Sequence, residues 1–186
     1  MGCTSSMQID DTAGTETGSK TMFPLSMYQK SLIQETWDTV EKDLLIFGTG
    51  IFHKLFKAKP ELLSVFPEFG YLESIDEILQ LPRLTGHPKK ITQAIREAIK
   101  SLDDAENFMT KLEALGQKHV ENSLRPDYLH ALGDAFVQQV QEILRDDCTK
   151  DVQKAWRDFY NFICKLMKQG LAKKQIGKGK GNVGWF

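Results

Sequence analysis

From Ser26 to Gly170, apolar residues recur three and four positions apart, and nowhere do they alternate as a half-buried strand would. The pattern predicts an all-α core with no internal repeat. Ser26 can cap the first helix while Gln29 bonds back to it, and the stripe Ile33, Trp37, Val40 then faces inward. A second helix over Leu44 to Ala58 buries Phe47, Ile51, Phe52, Leu55 and Phe56. Pro60 opens a short helical turn from Glu61 to Val65, because a proline at the first helical position gives up no needed hydrogen bond, and Phe66 follows it. After a small helix near Ser74 to Leu79, a longer one is expected over Pro82 to Ser101 through Ile91, Ile95 and Ile99. The next carries Phe108, Leu112, Leu115 and His119 at i, i+4, i+7 and i+11. Two long helices complete the set. One covers Pro126 to Leu144 with Leu129, Leu132, Phe136, Val140 and Ile143 inward. The other covers Thr149 to Gln169 with Val152, Trp156, Phe159 and Ile163 inward, capped by Thr149 and ended by Gly170.

The flanks read differently. Residues 1–24 are rich in Gly, Ser and Thr without periodicity, which predicts a disordered arm. Residues 171–186 carry Lys173, Lys174, Lys178 and Lys180 among glycines with no acid, which predicts a flexible basic tail. One domain is therefore expected over residues 25–170. Over the whole chain 24 Lys plus Arg balance 25 acids, so no global field attracts nucleic acid. Cys3, Cys148 and Cys164 are too scattered for a disulfide framework and form no C-x-x-C, which points to a reducing, cytoplasmic setting. The longest apolar stretch, Leu44 to Phe52, falls well short of the roughly 18 residues a spanning helix needs.

The four histidines divide into two pairs. His53 and His130 fall beside apolar stripes, are expected to be solvated, and receive no role. His87 and His119 face inward, with enough chain between them for a helix, a turn and a second helix, so their imidazoles can face one another across a slot. Spacing alone leaves two readings: hydrogen-bonded core residues, or ligands of a metal.

The neighbourhood adds more. Leu32-Ile33-Gln34-Glu35-Thr36-Trp37, then Gly48-Thr49-Gly50-Ile51-Phe52 and Pro60-Glu61-Leu62-Leu63-Ser64-Val65-Phe66, then His87 with Lys89-Lys90-Ile91, and Leu115-Gly116-Gln117-Lys118-His119 occur in this order. Together they resemble the globin family over roughly residues 26–170, nearest its neuroglobin and globin X branch. The resemblance implies a globin fold of about eight helices, three over three around haem b (iron protoporphyrin IX). His119 becomes the proximal iron ligand and His87 the distal histidine, with Phe52, Phe66, Lys90, Ile91, Leu115, Leu124, Leu129 and Leu132 around the cofactor. Leu115 lies four residues before His119, so its carbonyl is the expected acceptor for the second imidazole nitrogen. The resemblance leaves His87 two readings, bound to iron, as the branch implies, or donating a hydrogen bond to dioxygen on a five-coordinate iron; Lys90 is either a competing ligand or the partner of a propionate. Pro88 sharpens the question, since Gly86-His87-Pro88 should kink the helix or start it anew.

Met1-Gly2-Cys3-Thr4-Ser5-Ser6 fits the myristoylation pattern at Gly2, with Cys3 beside it for palmitoylation, and two acyl chains anchor where one binds marginally. An unmodified arm is the other reading, and the lysine tail either adds attraction to anionic lipid or is simply solvated. The expected function is a six-coordinate globin held at the cytoplasmic face of a membrane, the plasma membrane by this reading. It would work in electron transfer, sensing or lipid protection, bind diatomic gases, and draw electrons from an outside reductase or other donor. Alternatives are oxygen storage, nitrite reductase or nitric oxide dioxygenase activity, and a haem-free helical module.

Overall fold

The first helix begins where the sequence supplies its cap. Ser26 Oγ accepts the Gln29 amide at 3.1 Å and the Gln29 side chain accepts the Ser26 amide at 3.0 Å. Such a reciprocal cap is worth about 1 kcal/mol. In this computed structural model, which describes residues 23–66, 69–80, 86–119 and 126–179, the helices in chain order are α1 (Met27–Val40), α2 (Leu44–Ala58), α3 (His87–Lys100), α4 (Ala105–His119), α5 (Pro126–Leu144) and α6 (Lys150–Gly179). Short 3₁₀ segments, among them Pro60–Val65 and Ile75–Gln80, join them, and the described residues contain no strand. None of these helices is long and apolar enough to cross a membrane.

The predicted stripes meet in one core. α4 packs on α6, α2 on α5, and α1 on α6, with α2 also touching α3. Trp37, Phe47, Phe136, Trp156 and Phe159 form a chain of edge-on and tilted rings at centroid distances of 5.8–6.3 Å, the separations aromatic pairs prefer. Trp156 is fully buried and its indole N–H donates to Thr36 Oγ1 at 2.9 Å, so the burial leaves no orphan donor.

Four expectations need correction. The helix expected from Pro82 starts at His87: Gly86 stands at φ 61°, a conformation glycine reaches without penalty, and no regular helix passes through it. Pro88 lies in the first turn, where its missing N–H costs nothing, so the tripeptide is a helix start rather than a kink. His53 is not solvated. Its side chain is 15% exposed, and its Nε2 lies 2.8 Å from Asp76, tying the 75–80 turn to α2; that hydrogen bond lowers the Asp76 pKa. The arm ends earlier than residue 24, since Phe23 packs edge-on against Phe108 and Phe162 at 5.2 and 5.1 Å; residues 1–22 lie outside the described region.

The fourth correction concerns the far end. Gly170 does not stop α6, which runs on to Gly179 and takes with it part of the stretch read as a flexible tail. Leu171 is buried and Lys173 pairs with Glu113 on α4. Gly170 is there for proximity: a Cβ at this position would overlap the Glu113 carbonyl, and a Cβ at Gly116 would overlap the Met167 carbonyl. Two glycines, one from each helix, thus let the backbones of α4 and α6 approach closely. Gly170→Ala should therefore destabilise the protein by about 1–3 kcal/mol despite alanine's better helix propensity, read as a lowered denaturant midpoint at unchanged slope.

Candidate functional site

α3 and α4 are brought together at the ends that carry the two inward histidines. His87, in the first turn of α3, is half-buried and packs edge-on against Phe66 at 5.3 Å and Phe52 at 6.0 Å. His119, the last residue of α4, faces it with ring centroids 5.9 Å apart and planes at 87°. Its Nδ1 lies 2.8 Å from the Leu115 carbonyl, as the spacing suggested. That bond makes Nδ1 the donor and leaves Nε2 with a lone pair. One nitrogen is thereby prepared to bind a metal.

A cavity of about 320 Å³ opens beside the two imidazoles. Phe66, His87, Lys90, Ile91, Leu115, His119, Leu129 and Leu132, which the resemblance put around the cofactor, all line it. Phe52 does not. It stands behind, packed on Phe66 at 5.3 Å, and holds His87 from the side. Leu124, Gly2 and Cys3 lie outside the described residues.

Sequence reasoning missed Lys118, Tyr128, Tyr160 and Met167, which also line the cavity. Lys118 adjoins His119 in the chain, and its charge could have suggested it. Tyr128 stands on α5 beside Leu129, and Tyr160 and Met167 reach the wall because α6 crosses α4 and α5. Tyr160 donates to the Leu129 carbonyl at 3.1 Å, and the Cys164 thiol lies 3.6 Å from the same oxygen. Burial pushes the Cys164 pKa up to about 11 and holds the Tyr160 phenol well above its usual range. Both stay neutral, so Tyr160 adds no charge to the cavity and Cys164 adds none behind it.

The residues fit a flat metallocofactor. Among the described residues no group of three or more His, Cys, Asp or Glu could hold a bare ion. Two opposed imidazoles over an apolar wall suit a metal that arrives with its other ligands already in place. Lys90 and Lys118, both exposed at the mouth, supply positive charge where a cofactor's carboxylates would emerge.

Comparison with known proteins agrees. The globin family model matches residues 49–167, and the chain belongs to the globin family. It is similar to neuroglobin from Tetraodon nigroviridis, with 30% identity over 152 residues covering 82% of this chain and 96% of that protein. It is likewise similar to neuroglobin from Danio rerio, 28% identical over 161 residues, 87% of this chain and all of that one. Among solved structures, a hexacoordinated haem protein from an anhydrobiotic tardigrade shares the fold with a TM-score of 0.71, at 18% identity over 81% of this chain and 97% of that one. The protein is a haem-binding globin. Replacing His119 by alanine should lower haem retained on purification at least about tenfold, measured as Soret absorbance per protein; unchanged retention would mean that this imidazole is not the anchor.

Proposed function

We propose that the protein is a haem b globin whose iron is held by His119 and His87 together and which works in redox chemistry at a membrane surface. The observation that carries this is the His87–His119 geometry. Two imidazoles bonded to one metal from opposite sides, at about 2 Å per bond, have ring centres about 6 Å apart, and the observed separation is 5.9 Å. When bound, haem supplies an iron that changes between ferrous and ferric states and takes up diatomic gases. The chain's own part is to keep His87 close. Phe52 and Phe66 brace its ring, and the start of α3 at Gly86 puts it at a helix end, where a modest backbone shift can withdraw it. External ligands then bind only in the fraction of molecules with His87 withdrawn. A site that keeps both ligands through oxidation and reduction suits electron exchange with a donor protein better than bulk oxygen storage. The hexacoordinated haem protein of like fold and the neuroglobin relatives support the same reading.

Oxygen storage is the reading that a five-coordinate iron would favour, and nitrite reduction or nitric oxide dioxygenation would use the same two histidines. Lys90 at the cavity mouth serves a propionate in this scheme. His87→Ala should convert the ferrous spectrum from low-spin six-coordinate to high-spin five-coordinate and raise carbon monoxide affinity about tenfold or more, while Lys90→Ala keeps the low-spin spectrum. The opposite pattern would make the lysine the ligand.

The membrane part of the proposal rests on Met1-Gly2-Cys3-Thr4-Ser5-Ser6. Myristate on Gly2 with palmitate on Cys3 would hold the globin at the cytoplasmic face of the plasma membrane. In cells, Gly2→Ala is expected to move the protein from the membrane to the soluble fraction; equal partitioning of both forms would rule out the tether.

A further inference from the structure

A second cavity, of about 270 Å³, lies between α3 and α4 on the side of the first cavity away from His87 and towards the turn after Ser101. Ala94 and Ala98 form one wall, Phe108 and Leu112 the other, and Lys111 and Lys118 stand at its edge. It exists because the two helices barely touch. α4 is drawn against α6 by Gly116 and Gly170, whereas α3 presents only small side chains at 94 and 98. Phe108 cannot swing in to fill it, being fully buried and stacked on Phe162 at 5.5 Å with planes 8° apart.

We propose that this cavity is a binding site for a medium-chain fatty-acid anion, beside the haem site and sharing part of its wall. The chain lies along Ala94, Ala98, Phe108 and Leu112, and the carboxylate meets Lys111 or Lys118 at the edge. Both lysines are exposed, so their charge can be paired without burying it. Glu97 also borders the cavity, but its carboxylate lies 3.8 Å from the Lys100 ammonium, which offsets its repulsion. The cavity sets the chain length: its α3 wall runs from Ala94 to Ser101, roughly 10 Å at a helical rise of about 1.5 Å per residue, which an extended chain of medium length spans. Leu112, Leu115, Ala94 and Lys118 border both cavities, which places the occupant against the helix that carries His119. The proposal is independent of iron coordination number and of the tether.

Titration calorimetry on the full-length haem-loaded protein, with hexanoate, octanoate, decanoate and dodecanoate kept below their micelle concentrations, tests it. Binding of one equivalent is expected to tighten about fourfold per added methylene and to level off near ten carbons, with the Soret band retained. Ala98→Leu should weaken decanoate at least tenfold. Ala114→Leu, at an exposed position bordering the same cavity, should weaken it severalfold even if the Ala98 variant fails to fold. Lys111→Ala should weaken the acid but not decanol. Affinity independent of chain length, indifference to both leucine variants, equal binding of decylammonium, or loss of the Soret band as the chain expels haem would each overturn the proposal.

Discussion

The position of α4 decides the rest of this molecule. Two glycines, Gly116 on α4 and Gly170 on α6, remove the side chains that would hold the helices apart, and carbonyls of each helix occupy that space. Leu171 and the Lys173–Glu113 pair extend the contact beyond the residues matched by the family model. With α4 seated on α6, its opposite flank is left without close partners, and α3 does not follow it across. The haem slot and the second cavity are both consequences of that one-sided packing.

His119 inherits its place from the same contact. It ends α4, three residues after Gly116, and its imidazole is turned by the Leu115 carbonyl one helical turn back. The hydrogen bond sets which nitrogen carries the proton, and the helix crossing sets where the other nitrogen sits. His87 is placed by a different device. Its helix begins only there because Gly86 adopts a backbone conformation that a side chain would resist, and the surrounding phenylalanines hold the ring rather than the backbone. A ligand at the last turn of a well-packed helix faces a ligand at the first turn of a loosely packed one. Motion between them is therefore expected on the His87 side.

Much of this was legible in the residues. The stripes along α1, α2, α5 and α6 anticipated their buried faces, and Ser26 with Gln29 marked a helix start that the structure reproduces. Of the nine described residues that the resemblance put around the cofactor, eight line the cavity, each on a periodic stripe or in a local motif whose side is set by helical geometry. Phe52 was placed one layer too near. Its periodicity marked it as buried, but burial does not say which of two phenylalanines stands in front. His53 was misjudged for a related reason: its partner, Asp76, comes from a distant turn that no pattern on α2 announces.

What the chain determined alone was local: which faces are apolar, where caps can form, and that His119 has a carbonyl four residues back to orient it. These follow from hydrogen-bond geometry within a turn and from the 3.6-residue repeat, both of which act over a few residues. Only the tertiary structure decided whether Gly170 ends a helix or admits another, and whether Gly86 kinks α3 or starts it. It also decided which side chains share a cavity with the two imidazoles. A glycine's missing side chain carries no message until a second backbone arrives to use the space, and that backbone comes from residues far away along the chain.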